Sequence, residues 1–88
     1  MHIIRIEYSS RFERSLRSLG KEYREIVAER EKIFRANCFD PRLDTHKTKG
    51  KLRGFWSFSI THTHRILFEF LGNERVGFID VGDHDIYR

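Results

Sequence analysis

The hydrophobic period of this chain changes once, near its middle, and that change constrains the fold more than any other feature. Before Leu43, apolar residues recur at helical spacing: Phe12, Leu16 and Leu19 in one segment, then Tyr23, Ile26, Val27, Ile33 and Phe34 in the next. After it they alternate: Trp56, Phe58 and Ile60, then Ile66, Phe68 and Phe70. A helical half followed by a strand-rich half predicts an α+β fold, with helices covering one face of an antiparallel sheet.

Punctuation residues set the expected boundaries. Ile4, Ile6 and Tyr8 alternate with Arg5 and Glu7 and predict a half-buried first strand. Ser10 and Glu13 have capping-box spacing, and Gly20 ends the first helix. The second helix begins near Lys21; Asn37 is its expected terminator and Asp40-Pro41 blocks continuation. Residues 44–50 lack periodicity and predict a loop. Lys51 to Ile60, His64 to Leu71 and Arg75 to Val81 predict three strands, with turns at Thr61-His62-Thr63 and Gly72-Asn73-Glu74. Ile86 and Tyr87 add a short last strand. The expected architecture is two N-terminal helices packed on one face of a four- to five-stranded, mainly antiparallel sheet, with residues 1–88 as a single domain.

Composition excludes several classes. At 39% hydrophobic and 34% charged, the chain reads as globular and not disordered. No apolar run approaches the roughly 20 residues that span a bilayer, and the apolar run in Met1-His2-Ile3-Ile4-Arg5 is too short for a signal peptide. The lone Cys38 cannot form an intramolecular disulfide, and it adjoins apolar Phe39, so a structural role and a cytoplasmic location are expected.

Charge is localised. Lys and Arg total 17 against 13 Asp and Glu. Between Arg42 and Arg53 lie Arg42, Lys47, Lys49, Lys51 and Arg53 with one acid, Asp44, which is +4. The remainder, with 12 cations and 12 carboxylates, is neutral. A neutral chain carrying one basic stretch points to a polyanion partner.

Cleavage of RNA without a metal requires a base for the ribose 2′-hydroxyl, an acid for the departing 5′-oxygen and cations for the crowded phosphate. Histidine titrates near neutral pH, so His46 and His84 are candidates for base and acid. Lys49, Lys51 and Arg65 can hold the phosphate, and Tyr87 or Phe55 can stack on a base. The plain alternative is that each His sits on the surface without chemistry. His62-x-His64 lacks the further ligands a metal site needs, and no metal or cofactor is expected. Gly50 and Gly54 suit turns or a bulge rather than a phosphate loop.

The string His46-Lys47-Thr48-Lys49-Gly50-Lys51-Leu52-Arg53-Gly54-Phe55-Trp56-Ser57, with His64-Arg65-Ile66-Leu67-Phe68-Glu69 and Phe78-Ile79-Asp80-Val81-Gly82-Asp83-His84-Asp85-Ile86-Tyr87, resembles the RelE/ParE superfamily of type II toxins, on its RelE, YoeB and YafQ side. The resemblance covers essentially the whole chain. It implies a microbial-ribonuclease-like fold, an endoribonuclease that cuts mRNA on the ribosome to leave a 2′,3′-cyclic phosphate, and a cognate antitoxin that wraps and neutralises it in a hetero-oligomer. It implies catalytic roles for His46 as base, Arg65 at the phosphate and His84 as acid. Lys49 and Lys51 match the family's basic loop, Tyr87 falls near its terminal aromatic, and Lys47 and Arg53 complete the expected RNA-binding set. Ser59 and Thr63 stand where the YafQ type carries further His and Asp, a departure from a strict YafQ mechanism. His46, Arg65 and His84 favour a nuclease over the ParE branch, which inhibits DNA gyrase. A gyrase inhibitor and an inactive, antitoxin-binding relative remain the alternatives.

Overall fold

The computed structural model describes residues 1–87. It runs β1 (Arg5–Tyr8), α1 (Ser10–Leu19), α2 (Lys21–Ala36), a 3-10 turn (Pro41–Leu43), β2 (His46–Lys47), a second 3-10 turn (Gly50–Leu52), β3 (Trp56–Ser59), β4 (Arg65–Gly72), β5 (Arg75–Gly82) and a C-terminal 3-10 turn (His84–Tyr87). The five strands form one mixed sheet in the order β1-β5-β4-β3-β2. β1 is parallel to β5, and the other pairs are antiparallel. The expected fold is therefore observed.

The core lies between the helices and one sheet face. Phe34 of α2 stacks on Phe58 at 4.6 Å between ring centroids and meets Phe68 and Phe78 edge-on at 5.0 and 5.4 Å. All four rings are fully buried. α1 adds Phe12, whose ring lies 5.3 Å from Phe78. Gly20, at φ 94°, ends α1 and precedes α2 directly, a conformation open to glycine and costly for other residues.

Several boundaries differ from expectation. The cap of α1 is Ser9, not Ser10: its Oγ accepts from the Phe12 N–H at 3.0 Å and donates to the Ile79 carbonyl at 2.8 Å. Capping and anchoring to β5 are thus one residue's task, which a local pattern does not reveal. The first strand starts at Arg5, after Ile4, which is 59% exposed; Ile6 in β1 and Ile3 before it are buried. The Ile3 N–H donates to the Arg35 carbonyl and the Ile4 N–H to that of Glu74, so the chain enters the sheet twisted between α2 and the β4–β5 turn. The expected strand from Lys51 starts only at Trp56, because Gly50–Leu52 curls into its turn, closed by Arg53 N–H to Gly50 O and Phe55 N–H to Leu52 O. The fifth strand is His46–Lys47, in the stretch expected to be a loop. Ile86 and Tyr87 form a 3-10 turn rather than a strand.

That C-terminal turn covers part of the sheet face opposite the helices, over Ser57 and Gly82. Ser57 and Leu67 are buried, as is Ile86 on the turn. A Cβ on Gly82 would lie 2.8 Å from the Cγ2 of Ile86, so the absence of a side chain lets the turn sit directly on β5. No helix is long and apolar enough to cross a membrane among the described residues.

Candidate functional site

The register of two short pairings assembles the site. His46 lies opposite Ser57, and Ser59 lies opposite Arg65. Paired residues on antiparallel strands project to the same face, so a loop residue, two strand serines and an arginine share the face away from the helices. Tyr87 reaches the same place from the C-terminal turn.

His46 is held at both ring nitrogens. Nδ1 lies 2.8 Å from the backbone carbonyl of Asp44, an atom that can only accept, so Nδ1 carries the hydrogen. In the neutral ring Nε2 is then the basic nitrogen, and it faces Ser57 Oγ at 3.4 Å. Ser57 Oγ in turn accepts from the Tyr87 hydroxyl at 3.0 Å. Asp44 adopts the left-handed region (φ 50°, ψ 46°), which brings its carbonyl under the imidazole.

Arg65 stands beside this chain. Its Nη1 donates to Ser59 Oγ at 2.7 Å and lies 3.7 Å from the Asp44 carboxylate. Its side chain is 26% exposed, so it is fixed in direction yet open to a ligand.

The basic loop is closed by Thr48. Its N–H donates to the Phe55 carbonyl at 3.1 Å, and its hydroxyl reaches the carbonyls of Phe55 and Leu52. This fixes the backbone while the side chains of Lys49, Lys51 and Arg53 stay exposed. Lys47 Nζ lies 5.6 Å from the centre of the Trp56 ring, a cation–π contact.

A groove of about 380 Å³ joins these parts, lined by His46, Lys47, Thr48, Lys49, Arg65 and Tyr87. Lys49 and Arg65 are its basic residues; Lys47, paired with Trp56, projects to the other face, where its ammonium meets the Trp56 ring, and no carboxylate lines the groove among the described residues. Lys51, Arg53 and His84 lie outside this lining; His84 is exposed at the start of the turn that ends in Tyr87. The structure thus brings His46 together with Arg65, Lys49 and Tyr87, and leaves the Lys47 ammonium and His84 outside the groove. A basic nitrogen, two basic side chains and an aromatic ring in one concavity can bind a phosphodiester and deprotonate a hydroxyl beside it.

Ser57, Thr48 and Asp44 stand in the motif string or the basic stretch, but nothing in the sequence assigns them these roles. The role of Ser57 depends on two partners 11 and 30 positions away in sequence. The reach of Thr48 to Phe55 follows from the turn at Gly50, which local alternation conceals.

Other candidates are accounted for locally. His64 packs against Tyr23, with 4.5 Å between centroids, and its Nδ1 lies 2.8 Å from Thr63 Oγ1. Among the described residues no three His, Cys, Asp or Glu side chains come together as a metal site. Cys38 is buried, and burial pushes its thiol above the usual range, which disfavours the thiolate a nucleophile needs. Asp80, also buried, accepts from Arg11 Nε at 3.0 Å and from the Ser15 hydroxyl, tying α1 to β5.

No protein-family model matches the chain, and no curated protein sequence does. Solved structures do. YafQ from E. coli strain BL21(DE3) superposes with a TM-score of 0.76 at 14% identity, over 93% of this chain and 94% of that one. A YoeB/ParE toxin from Agrobacterium tumefaciens gives 0.70 at 19%, over 92% and 99%. The toxin–antitoxin complex RelBE2 from Mycobacterium tuberculosis gives 0.66 at 18%, over 96% and 94%. The chain therefore has the RelE-like fold of these toxins. At such identities the likeness establishes the architecture, and the chemistry has to be argued from the groove.

Proposed function

We propose that this chain, acting as one domain, is the toxin of a type II toxin–antitoxin pair and an endoribonuclease that cuts mRNA on the ribosome in the cytoplasm. The observation that carries this reading is the orientation of His46: Nδ1 committed to the Asp44 carbonyl and Nε2 basic, in a groove walled by Arg65 and Lys49.

In the proposed reaction Nε2 of His46 takes the proton of a ribose 2′-hydroxyl. The 2′-oxygen forms a bond to phosphorus as the bond from phosphorus to the 5′-oxygen breaks. The 5′-oxygen leaves with a proton from His84, giving a 2′,3′-cyclic phosphate and a 5′-hydroxyl. Arg65, with Lys49, offsets the negative charge that builds on the phosphoryl oxygens, so the step as written needs no metal; Lys47, turned to Trp56, adds positive charge from the far side of the strand. Ser57 stands on Nε2 at the long distance of 3.4 Å, a contact that an incoming hydroxyl can replace. Tyr87 presents a ring to a neighbouring base, and Lys51 and Arg53 extend the positive wall from the exposed loop. One observation favours a variation: Tyr87, not His84, lines the groove, which makes the Tyr87 hydroxyl a second candidate acid.

The RelBE2 neighbour is a toxin–antitoxin complex, which supports a cognate antitoxin as partner here. The test is induction of the chain without antitoxin, followed by mapping of message ends. Discrete cuts within coding regions are expected, lost in Arg65→Ala. Intact messages with DNA damage signalling would assign the fold to gyrase inhibition instead; intact messages with normal growth would mark an inactive relative. Comparing His84→Ala with Tyr87→Phe identifies the acid, since its loss costs about 10²–10⁴-fold in rate.

A further inference from the structure

Arg65 has two sides. One faces the groove just described; the other faces a second groove of about 360 Å³, lined by Arg30, Arg42, Asp44, His62 and Arg65 among others. That lining holds three guanidiniums against the single carboxylate of Asp44. None of Arg30, Asp44 or His62 belongs to the catalytic set proposed above.

The cations differ in availability. Arg42 is matched by Asp40 in a two-bonded fork, with Nε at 3.0 Å and Nη2 at 2.8 Å. Arg30, rising from α2, uses Nη1 on the Arg42 carbonyl at 3.3 Å and forms no ion pair among the described residues. The remaining donors of its fork are open to an anion. Asp44, 72% exposed, lies 3.7 Å from Arg65 in the same groove wall, so an anion bound there meets its charge. Beyond Arg30 the next groove mixes Ile26 and Ile33 with Arg42 and the carboxylate of Glu29, which opposes a further phosphate.

We propose that this second groove binds the RNA backbone phosphate adjacent to the one held at Arg65, with Arg30 as its main contact and Asp44 as the competing anion it displaces. The inference rests on the nuclease reading in that Arg65 must hold an RNA phosphate. It adds a second phosphate site and makes the chain sensitive to substrate length.

The test is binding of 2′-O-methyl RNA, which lacks the attacking hydroxyl and stays intact, by fluorescence polarisation with a dinucleotide and a hexanucleotide. The wild type should bind the hexanucleotide more tightly. Arg30→Ala should weaken the hexanucleotide about five-fold, reduce its salt slope by about 0.7 and leave the dinucleotide unchanged. Arg30→Lys should recover most of the loss. Asp44→Asn should tighten both, since Asn tolerates the left-handed backbone at that position and removes the competing charge. Equal wild-type affinity for both lengths, or an Arg30→Ala effect on neither or on both alike, overturns the proposal and leaves the groove to a protein partner. Failure of the wild type to bind either oligonucleotide also overturns it. Message mapping is read separately: intact messages alongside a length-dependent Arg30 effect would remove the nuclease activity and keep the phosphate site.

Discussion

The Tyr87 hydroxyl donates to the Oγ of Ser57 across 3.0 Å, and Ser57 is fully buried. This bond joins the last turn of the chain to the middle of β3. It places the Tyr87 ring in the wall of the groove and hands its position on to His46, whose Nε2 faces the same oxygen.

Ser57→Ala removes the shared oxygen. The hydroxyl of Tyr87 loses its acceptor and His46 loses the contact at Nε2, at a stability cost of about 1 kcal/mol. Because both act through one atom, Ser57→Ala combined with Tyr87→Phe should cost much less than the sum of the two in cleavage rate. A full sum in a double-mutant cycle would show that the two residues act independently.

Gly82→Ala tests the seat of the C-terminal turn. The new methyl would meet the Ile86 Cγ2 at 2.8 Å, and β-branched Ile86 has little rotamer freedom to move aside. Overpacking of this kind costs about 1–3 kcal/mol, and it should lift Tyr87 out of the groove. The expected outcome is a folded protein with a circular dichroism spectrum like the wild type and a much reduced cleavage rate; an unchanged rate would show that the turn's seat does not position the site.

Phe34→Ala removes the ring at the centre of the four-phenylalanine cluster. A loss of about 3–5 kcal/mol is expected, large for a domain of this size, and denaturant titration measures it. The stretch from Phe12 to Phe34 was readable in the sequence because helical spacing marks a helix's buried face directly. Phe58 and Phe68 were readable by alternation. The site was less so. His46, Lys49, Arg65 and Tyr87 were named from chemistry and resemblance, but their meeting depends on the pairing of His46 with Ser57 and Arg65 with Ser59, which no local pattern encodes. Ile86 and Tyr87 carry strand-forming side chains, yet the close approach at Gly82 lets them close over the sheet as a turn.

The β4–β5 hairpin carries a removable strain. Asn73 and Glu74 have φ of 52° and 60°, the two-residue geometry that favours Asn-Gly. Asn tolerates it and Glu does so at a cost. Glu74→Gly should raise stability by about 0.5–1 kcal/mol, since its exposed contact to His2 at 3.8 Å contributes little. A lowered melting temperature would contradict this.

Acid tolerance should depend on Asp40. Its fork to Arg42 and the Arg42 N–H hold its carboxyl down at about 2, against an ordinary 3.8. A carboxylate depressed in the folded state stabilises above its unfolded value, and that contribution is lost as pH falls from about 4 through about 2. Asp40→Asn should therefore lower stability at neutral pH and flatten the acid limb of the stability curve over that window, as chemical denaturation at several pH values would record.

The most direct measurement is the end chemistry of mRNA exposed to the purified chain with ribosomes, for the wild type and His46→Ala. Base catalysis by His46 in a groove of cations predicts fragments ending in 2′,3′-cyclic phosphate and beginning with a 5′-hydroxyl, and a loss of about 10²–10⁴-fold in their rate of formation in His46→Ala. Fragments beginning with a 5′-phosphate, or a His46→Ala protein that cuts as fast as the wild type, would contradict it.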